Sequence, residues 1–180
     1  MPRFLALFLI AALSSSCGTS PYRAEYATQA PELDLFEFFD GPVTGWAIVQ
    51  NRKGQVLQRF KVAIEGSVEG ETLTLDETFS YFLGEGVEKR VWVIDKNSPN
   101  ERDFTGRADD IIDLGQGVAY GNALNWQYQM DLTVSSGTYR VSFNDWMWAI
   151  DESSLINRAY IKKFGLVLAE VTIFMKQGRY

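Results

Sequence analysis

The chain has 180 residues, with 23 acidic against 17 basic side chains for a formal charge of −6, no histidine and one cysteine. That length suits one domain able to bury a core without staples, and the absence of any block of Lys and Arg argues against nucleic acid, whose phosphates need clustered positive charge. Lacking histidine, the chain has no ordinary serine triad and few routes to a zinc site, and a single cysteine excludes an intramolecular disulfide.

Arg3 precedes a run of ten apolar residues, Phe4 to Leu13, followed by Ser14-Ser15-Ser16-Cys17. A charged start, a short apolar core and a small-residue exit predict a signal peptide over residues 1–16. The run falls well short of the roughly 20 apolar residues of a bilayer span. Small residues before Cys17 resemble a lipobox, in which the thiol receives a lipid anchor, although Ser14 stands where leucine is usual and Leu13 lies one place early. Ordinary cleavage after Ser-x-Ser is the alternative. An anchor would explain a lone thiol in an oxidising compartment, and Gly18 rather than aspartate after it points to the outer membrane, facing the periplasm. Residues 17–31 are polar, carry Pro21 and Pro31, and read as a tether; the folded domain is expected over 32–180.

Leu35, Phe36, Phe38 and Phe39 before Asp40-Gly41-Pro42 form a short apolar plug. From Thr44 onward, short runs of period two are separated by turn residues. Trp46–Val49 leads to the turn Asn51–Gly54, and a second run from Val56 stops at Glu65-Gly66. Thr72–Phe82 alternates cleanly, with Leu73, Leu75, Phe79 and Tyr81 on one face. Gly84-Glu85-Gly86 turns the chain and Arg90–Ile94 returns it. Phe104–Ala108 and Gly115–Gly121 are weaker strands; Trp126, Tyr128, Met130 and Leu132 alternate again, as do Tyr139, Val141 and Phe143. Residues 155–164 have apolar positions at helical spacing but are also compatible with a strand turning at Phe164-Gly165, and the strand is preferred. Leu166–Met175 is a nearly continuous last strand. The pattern predicts an all-β antiparallel sandwich or barrel.

Carboxylates are what remains for chemistry. Asp109, Asp110 and Asp113 cluster at a strand end, but their spacing matches no calcium loop and a solvated acidic loop is the simpler reading, so no metal is expected. Glu77 falls on the apolar face between Leu75 and Phe79, where a charge is costly unless paired. The hairpin register brings Arg90 to that face near Tyr81, close to Glu77 but not directly opposite it. A structural ion pair is the plain interpretation, and a polar contact at the bottom of a ligand cavity the sharper one. Glu170, inside the last apolar run, raises the same question.

Several groups of residues recur in an order that resembles a known family: Phe38-Phe39-Asp40-Gly41, Glu77–Tyr81 with Arg90-Val91-Trp92, Gly117–Ala123, Asn144–Met147, Leu155–Arg158 and Lys163-Phe164-Gly165. Together they are similar to a bacterial lipoprotein family of unknown function (domain of unknown function 3833). The resemblance implies a lipocalin-like (calycin) β-barrel in the Gram-negative envelope, with no established activity and no catalytic residues to carry over; Asn144 stands where an acidic residue is expected. The expectation is an all-β, antiparallel lipocalin/calycin-like barrel of roughly eight to ten strands with an N-terminal apolar plug. Its leading function is binding or carrying a small apolar ligand such as a lipid or fatty acid, without a cofactor. The alternatives are an accessory envelope lipoprotein with a packed barrel and a lipid-modifying enzyme using buried carboxylates. A hollow barrel would be lined by Glu77, Phe79, Tyr81, Arg90, Trp92, Trp126, Tyr128, Trp146 and Glu170.

Overall fold

The computed structural model describes residues 25–97, 102–134 and 137–180, so the expected signal peptide, Cys17, the first part of the tether, the loop around Pro99 and the Ser135-Ser136 turn lie outside the described residues. A single-turn helix, α1 (Leu35–Phe39), precedes ten strands: β1 (Gly41–Asn51), β2 (Val56–Glu69), β3 (Thr72–Leu83), β4 (Lys89–Lys96), β5 (Asp103–Arg107), β6 (Ile111–Tyr120), β7 (Ala123–Val134), β8 (Gly137–Asp151), β9 (Ser154–Lys163) and β10 (Leu166–Gln177). The strands follow one another around the sheet in chain order, every pair antiparallel. β10 then pairs with β1, from Val43 opposite Gln177 to Asn51 opposite Ala169, and closes the barrel. Closure leaves no unpaired strand edge. The expected antiparallel barrel is present with ten strands.

Residues 154–163 form strand β9. Leu155, Asn157, Ala159 and Ile161 point inward and are buried, while Ile156 and Tyr160 lie on the outer face. Apolar residues on both faces blur the period of two, which is why the segment also carries helical spacing. The second strand does not stop at Glu65-Gly66 but continues to Glu69 and turns at Gly70, in the left-handed region with φ +63°. Gly66 marks a close approach instead: a Cβ built there would lie 1.6 Å from the carbonyl oxygen of Phe39. The missing side chain lets the plug sit against the sheet.

Asp34 caps α1, its Oδ1 accepting from the backbone N–H groups of Phe36 (2.8 Å) and Glu37 (3.0 Å). The helix buries Leu35, Phe36, Phe38 and Phe39, and Gln177 Nε2 donates to the Phe38 carbonyl at 2.9 Å, tying the plug to the end of β10. Around it pack Ile64, Leu73, Ile94, Phe104, Leu124 and Leu155, so this end of the barrel is a solid core. The segment expected to be a tether is not free along its described part. Tyr26 lies 5.7 Å from Trp146 and 6.3 Å from Trp148, ring to ring, on the outer wall.

Candidate ligand cavity

Above the plug the barrel is hollow, with a cavity of about 860 Å³. Its floor is Leu35 and Phe39, and its far end is bounded by Leu57, Gly84–Val87, Tyr139, Lys163 and Leu168. Leu57, Val87, Tyr139 and Leu168 are themselves exposed, so the cavity reaches solvent at the end opposite the plug. The wall follows strand alternation. From β3 it takes Leu75, Glu77, Phe79 and Tyr81; from β7 Leu124, Trp126, Tyr128 and Leu132; from β8 Val141, Phe143, Asp145 and Met147.

The weak strands β5 and β6 acquire a reason here. Gly106, Gly115 and Gly117 lie beneath the Trp126 indole, and a Cβ on any of them would come within 2.3–3.0 Å of its ring carbons. Trp126 therefore supplies the lining that these strands lack. Trp92 packs edge-on against Trp126 (5.7 Å) and Tyr128 (5.3 Å), while Tyr128 stacks on Phe143 at 4.8 Å. These aromatic contacts favour a fixed, preformed wall.

Seven of the nine expected lining residues reach the cavity: Glu77, Phe79, Tyr81, Arg90, Trp92, Trp126 and Tyr128. Trp146 and Glu170 do not. On β8 the inward series Val141, Phe143, Asp145 and Met147 leaves Trp146 on the outer face, where Tyr26, Tyr120 and Trp148 cover it completely. On β10 the inward series is Ala169, Val171, Ile173 and Met175, so Glu170 points outward and accepts from Arg158 Nη2 at 2.7 Å. A residue flanked by apolar neighbours looked internal because both faces of these strands are apolar.

Polar groups gather midway down the cavity. Glu77 and Arg90 are directly opposed across β3 and β4, closer in register than expected. Yet the bonded partner of Arg90 is Asp110, from the acidic cluster in the β5–β6 turn: Arg90 Nε donates to Oδ1 (3.1 Å) and Oδ2 (3.0 Å), and Nη2 to Oδ2 at 2.5 Å. The fork geometry of the guanidinium matches this carboxylate face-on. Asp145 was missed as a site residue, although extending the alternation Tyr139, Val141, Phe143 by one step places it inside. Its side chain lies in the cavity wall, only 8% exposed, and Oδ1 has no hydrogen-bond partner among the described residues.

Burial pushes the Glu77 carboxyl up to about 7, against the pull of Arg90 and with added repulsion from Asp110. Burial likewise raises Asp145 to about 7, with Arg90 opposing and Glu77 reinforcing. Desolvation, not a bonded partner, is the dominant cause in both. Burial also holds the Tyr128 phenol well above its usual range, with Asp145 adding to the effect. For Arg90, burial alone would favour the neutral form, but Tyr128, Glu77 and Asp110 outweigh it and keep the guanidinium charged. The site is an apolar chamber with one internally neutralised cation and two carboxyl groups poised between protonation states.

Among solved structures, the S-type phycobiliprotein lyase CPES from Guillardia theta has the same lipocalin-like fold, with a TM-score of 0.59 over 81% of this chain and 91% of that one at 14% identity. A search of curated proteins gives no match. The family model described as "Protein of unknown function (DUF3833)" spans residues 11–177, nearly the whole chain, and the protein belongs to that family.

Proposed function

We propose that the barrel binds a small apolar molecule of lipid type, whose polar end meets Glu77 and Asp145. The observation that carries this reading is the cavity itself: about 860 Å³, bounded by aromatic and aliphatic side chains, with a few convergent polar groups, the usual make-up of a small-molecule site. Likeness in fold to a phycobiliprotein lyase adds support at the level of architecture. A hollow chamber argues against the packed, purely structural barrel. The polar groups narrow the ligand further. Arg90 already holds Asp110 and faces two more carboxyl groups, so an anionic head meets no uncommitted cation beside Glu77 and Asp145; Lys163 stands at the mouth. A free fatty acid matches the apolar wall but brings a further carboxyl group to this site. An alcohol, amide or amine end can instead donate to the carboxyl groups of Glu77 and Asp145 in the cavity wall.

Displacement of an environment-sensitive apolar dye from the purified protein tests this. Oleyl alcohol and oleylamine should compete at about tenfold lower concentration than oleate at pH 7.5, equivalent to one hydrogen bond to a buried acceptor. A protein that takes up no dye, and carries no small molecule in native mass spectrometry, is not a lipid carrier. The two carboxyl groups near 7 favour a second reading, acid–base chemistry on a bound lipid, since catalytic groups work best when poised near the ambient pH. Chemical change of the displaced lipid on incubation, lost in Asp145→Asn, would establish it.

We also propose that the chain is exported and held to the outer membrane through a lipid on Cys17, supported by the Arg3, Phe4–Leu13 and Ser14–Ser16 pattern. Cys17→Ser should release the protein into the soluble periplasmic fraction and remove the acyl mass. A variant that stays wholly in the membrane fraction overturns the anchor.

A further inference from the structure

Large apolar side chains are exposed around the cavity mouth. Phe164, at the β9–β10 turn, is 93% exposed; Leu166 is 62%, Phe82 60% and Leu83 48% exposed, and Val56 and Leu57 begin the neighbouring strand β2. The turns that carry them are adjacent in the closed sheet, because β9, β10, β1, β2 and β3 are consecutive neighbours. The same half of the mouth bears Arg52, Lys53, Arg59, Lys162 and Lys163, none in an ion pair among the described residues, in a chain whose formal charge is −6. The β3–β4 turn adds Glu85 and Glu88 to this half, which stays net positive, and the opposite half carries Asp109, Asp110 and Asp113.

Phe164 is the most telling residue. The two-residue turn Phe164-Gly165 has φ +51° and +79°, a conformation that ordinarily selects Asn-Gly because both residues must be left-handed. A phenylalanine there is unfavourable twice, through its backbone and through its exposure to water. Neither folding nor packing accounts for it, since its ring touches little of the barrel beyond Lys163. Strain and exposure at one position are the pattern expected of a side chain kept for contact with something else.

We propose that this apolar, basic half of the mouth docks onto an anionic lipid bilayer, with Phe164 inserted between the headgroups. The geometry fits a membrane better than a protein partner. The apolar residues sit on projecting turns around an opening rather than on a flat face, and they alternate with cations, as in interfacial segments that bury apolar tips while lysine and arginine meet anionic headgroups. Lys163 already lies 4.0 Å over the Tyr139 ring and Arg59 5.8 Å over that of Phe82, so apolar and basic groups share the rim. Docking here would open the chamber directly onto lipid. Docking through the rim does not require that the chamber hold the proposed ligand.

The test is flotation of the full chain carrying Cys17→Ser, so that no acyl anchor contributes, with vesicles of phosphatidylethanolamine and phosphatidylglycerol or of phosphatidylcholine alone. Binding should favour the anionic vesicles and fall with salt. Phe164→Asn should bind about tenfold more weakly while melting higher, because asparagine accepts the left-handed turn. Lys162→Gln and Lys163→Gln should each weaken binding about fivefold. In Phe164→Trp, vesicles with brominated acyl chains should quench the added indole beyond the quenching of the native tryptophans. Binding indifferent to Phe164→Asn, or bound Phe164→Trp that is not quenched, would mean attachment through another surface and overturns the proposal. So would loss of self-association, instead of vesicle binding, in Phe164→Asn.

Discussion

Two carboxyl groups that titrate near 7 inside one chamber make its charge, and the stability of the fold, depend on pH. In the unfolded chain Glu77 and Asp145 lose their protons near 4, whereas in the folded barrel they keep them to about 7. Their contribution to stability is therefore full below about pH 4, declines between about 4 and 7, and is absent above, at up to about 1.4 kcal/mol per pH unit for each group. The surface carboxylates paired with arginine, such as Asp131, slope the other way, so the effect is read as a difference between proteins. Urea denaturation of Glu77→Gln and Asp145→Asn at pH 5 and pH 8 should show each variant gaining about 1–3 kcal/mol relative to the parent between the two pH values. The two gains should be less than additive, because the Glu77 charge helps to raise Asp145. Parallel pH curves for parent and variants would mean that both groups reach bulk water. Glu77 was legible because it interrupts a clean alternation. Asp145 was obscured by Asn144 and Trp146 beside it, and the Arg90–Asp110 bond could not be read because it joins residues 20 positions apart through a turn.

The strands were largely legible from their period, since a barrel wall with one face inward imposes alternation on every strand. Glycine was the harder signal, as it marks both a turn and a close approach of two elements. Gly70 is the turn, with open space around the position of a Cβ; Gly66 lies mid-strand beneath the Phe39 carbonyl. The two predict different losses. Gly70→Ala meets only the left-handed backbone and should cost about 1–2 kcal/mol. Gly66→Ala must push α1 away from the sheet, and should cost about 3 kcal/mol or more, at the upper end of overpacking effects. It should also expose the amides of residues 34–39 to hydrogen exchange while β7 and β8 stay protected. Equal losses, with the plug still protected, would show that α1 adapts to an added methyl without leaving its seat. The floor of the chamber, and with it the cavity volume, depends on this contact.

At the scale of the whole molecule, the barrel divides into a packed end and an empty one, and the division decides what substitutions do. Around α1, Leu73, Leu124 and Leu155 are fully buried, so added volume there has nowhere to go. Nearer the mouth, Val171 lines the chamber and is only partly buried, between Ala159 on β9 and Val49 on β1. A larger side chain at 171 grows into empty space in place of neighbouring atoms. Val171→Phe should therefore leave the melting temperature unchanged or raise it by a few degrees, since burying more apolar surface without strain is stabilising. The same ring occupies part of the volume that a ligand needs, so dye uptake should fall about tenfold or more. A bound lipid should raise the melting temperature of the parent in proportion to the logarithm of its concentration, and this shift should shrink in Val171→Phe. Scanning calorimetry of both proteins, with and without oleyl alcohol, separates the cases. If Val171→Phe lowers the melting temperature by several degrees without ligand, the chamber closes up in solution and the barrel is packed throughout. If stability holds and the ligand-induced shift disappears, the empty half of the barrel is the binding site.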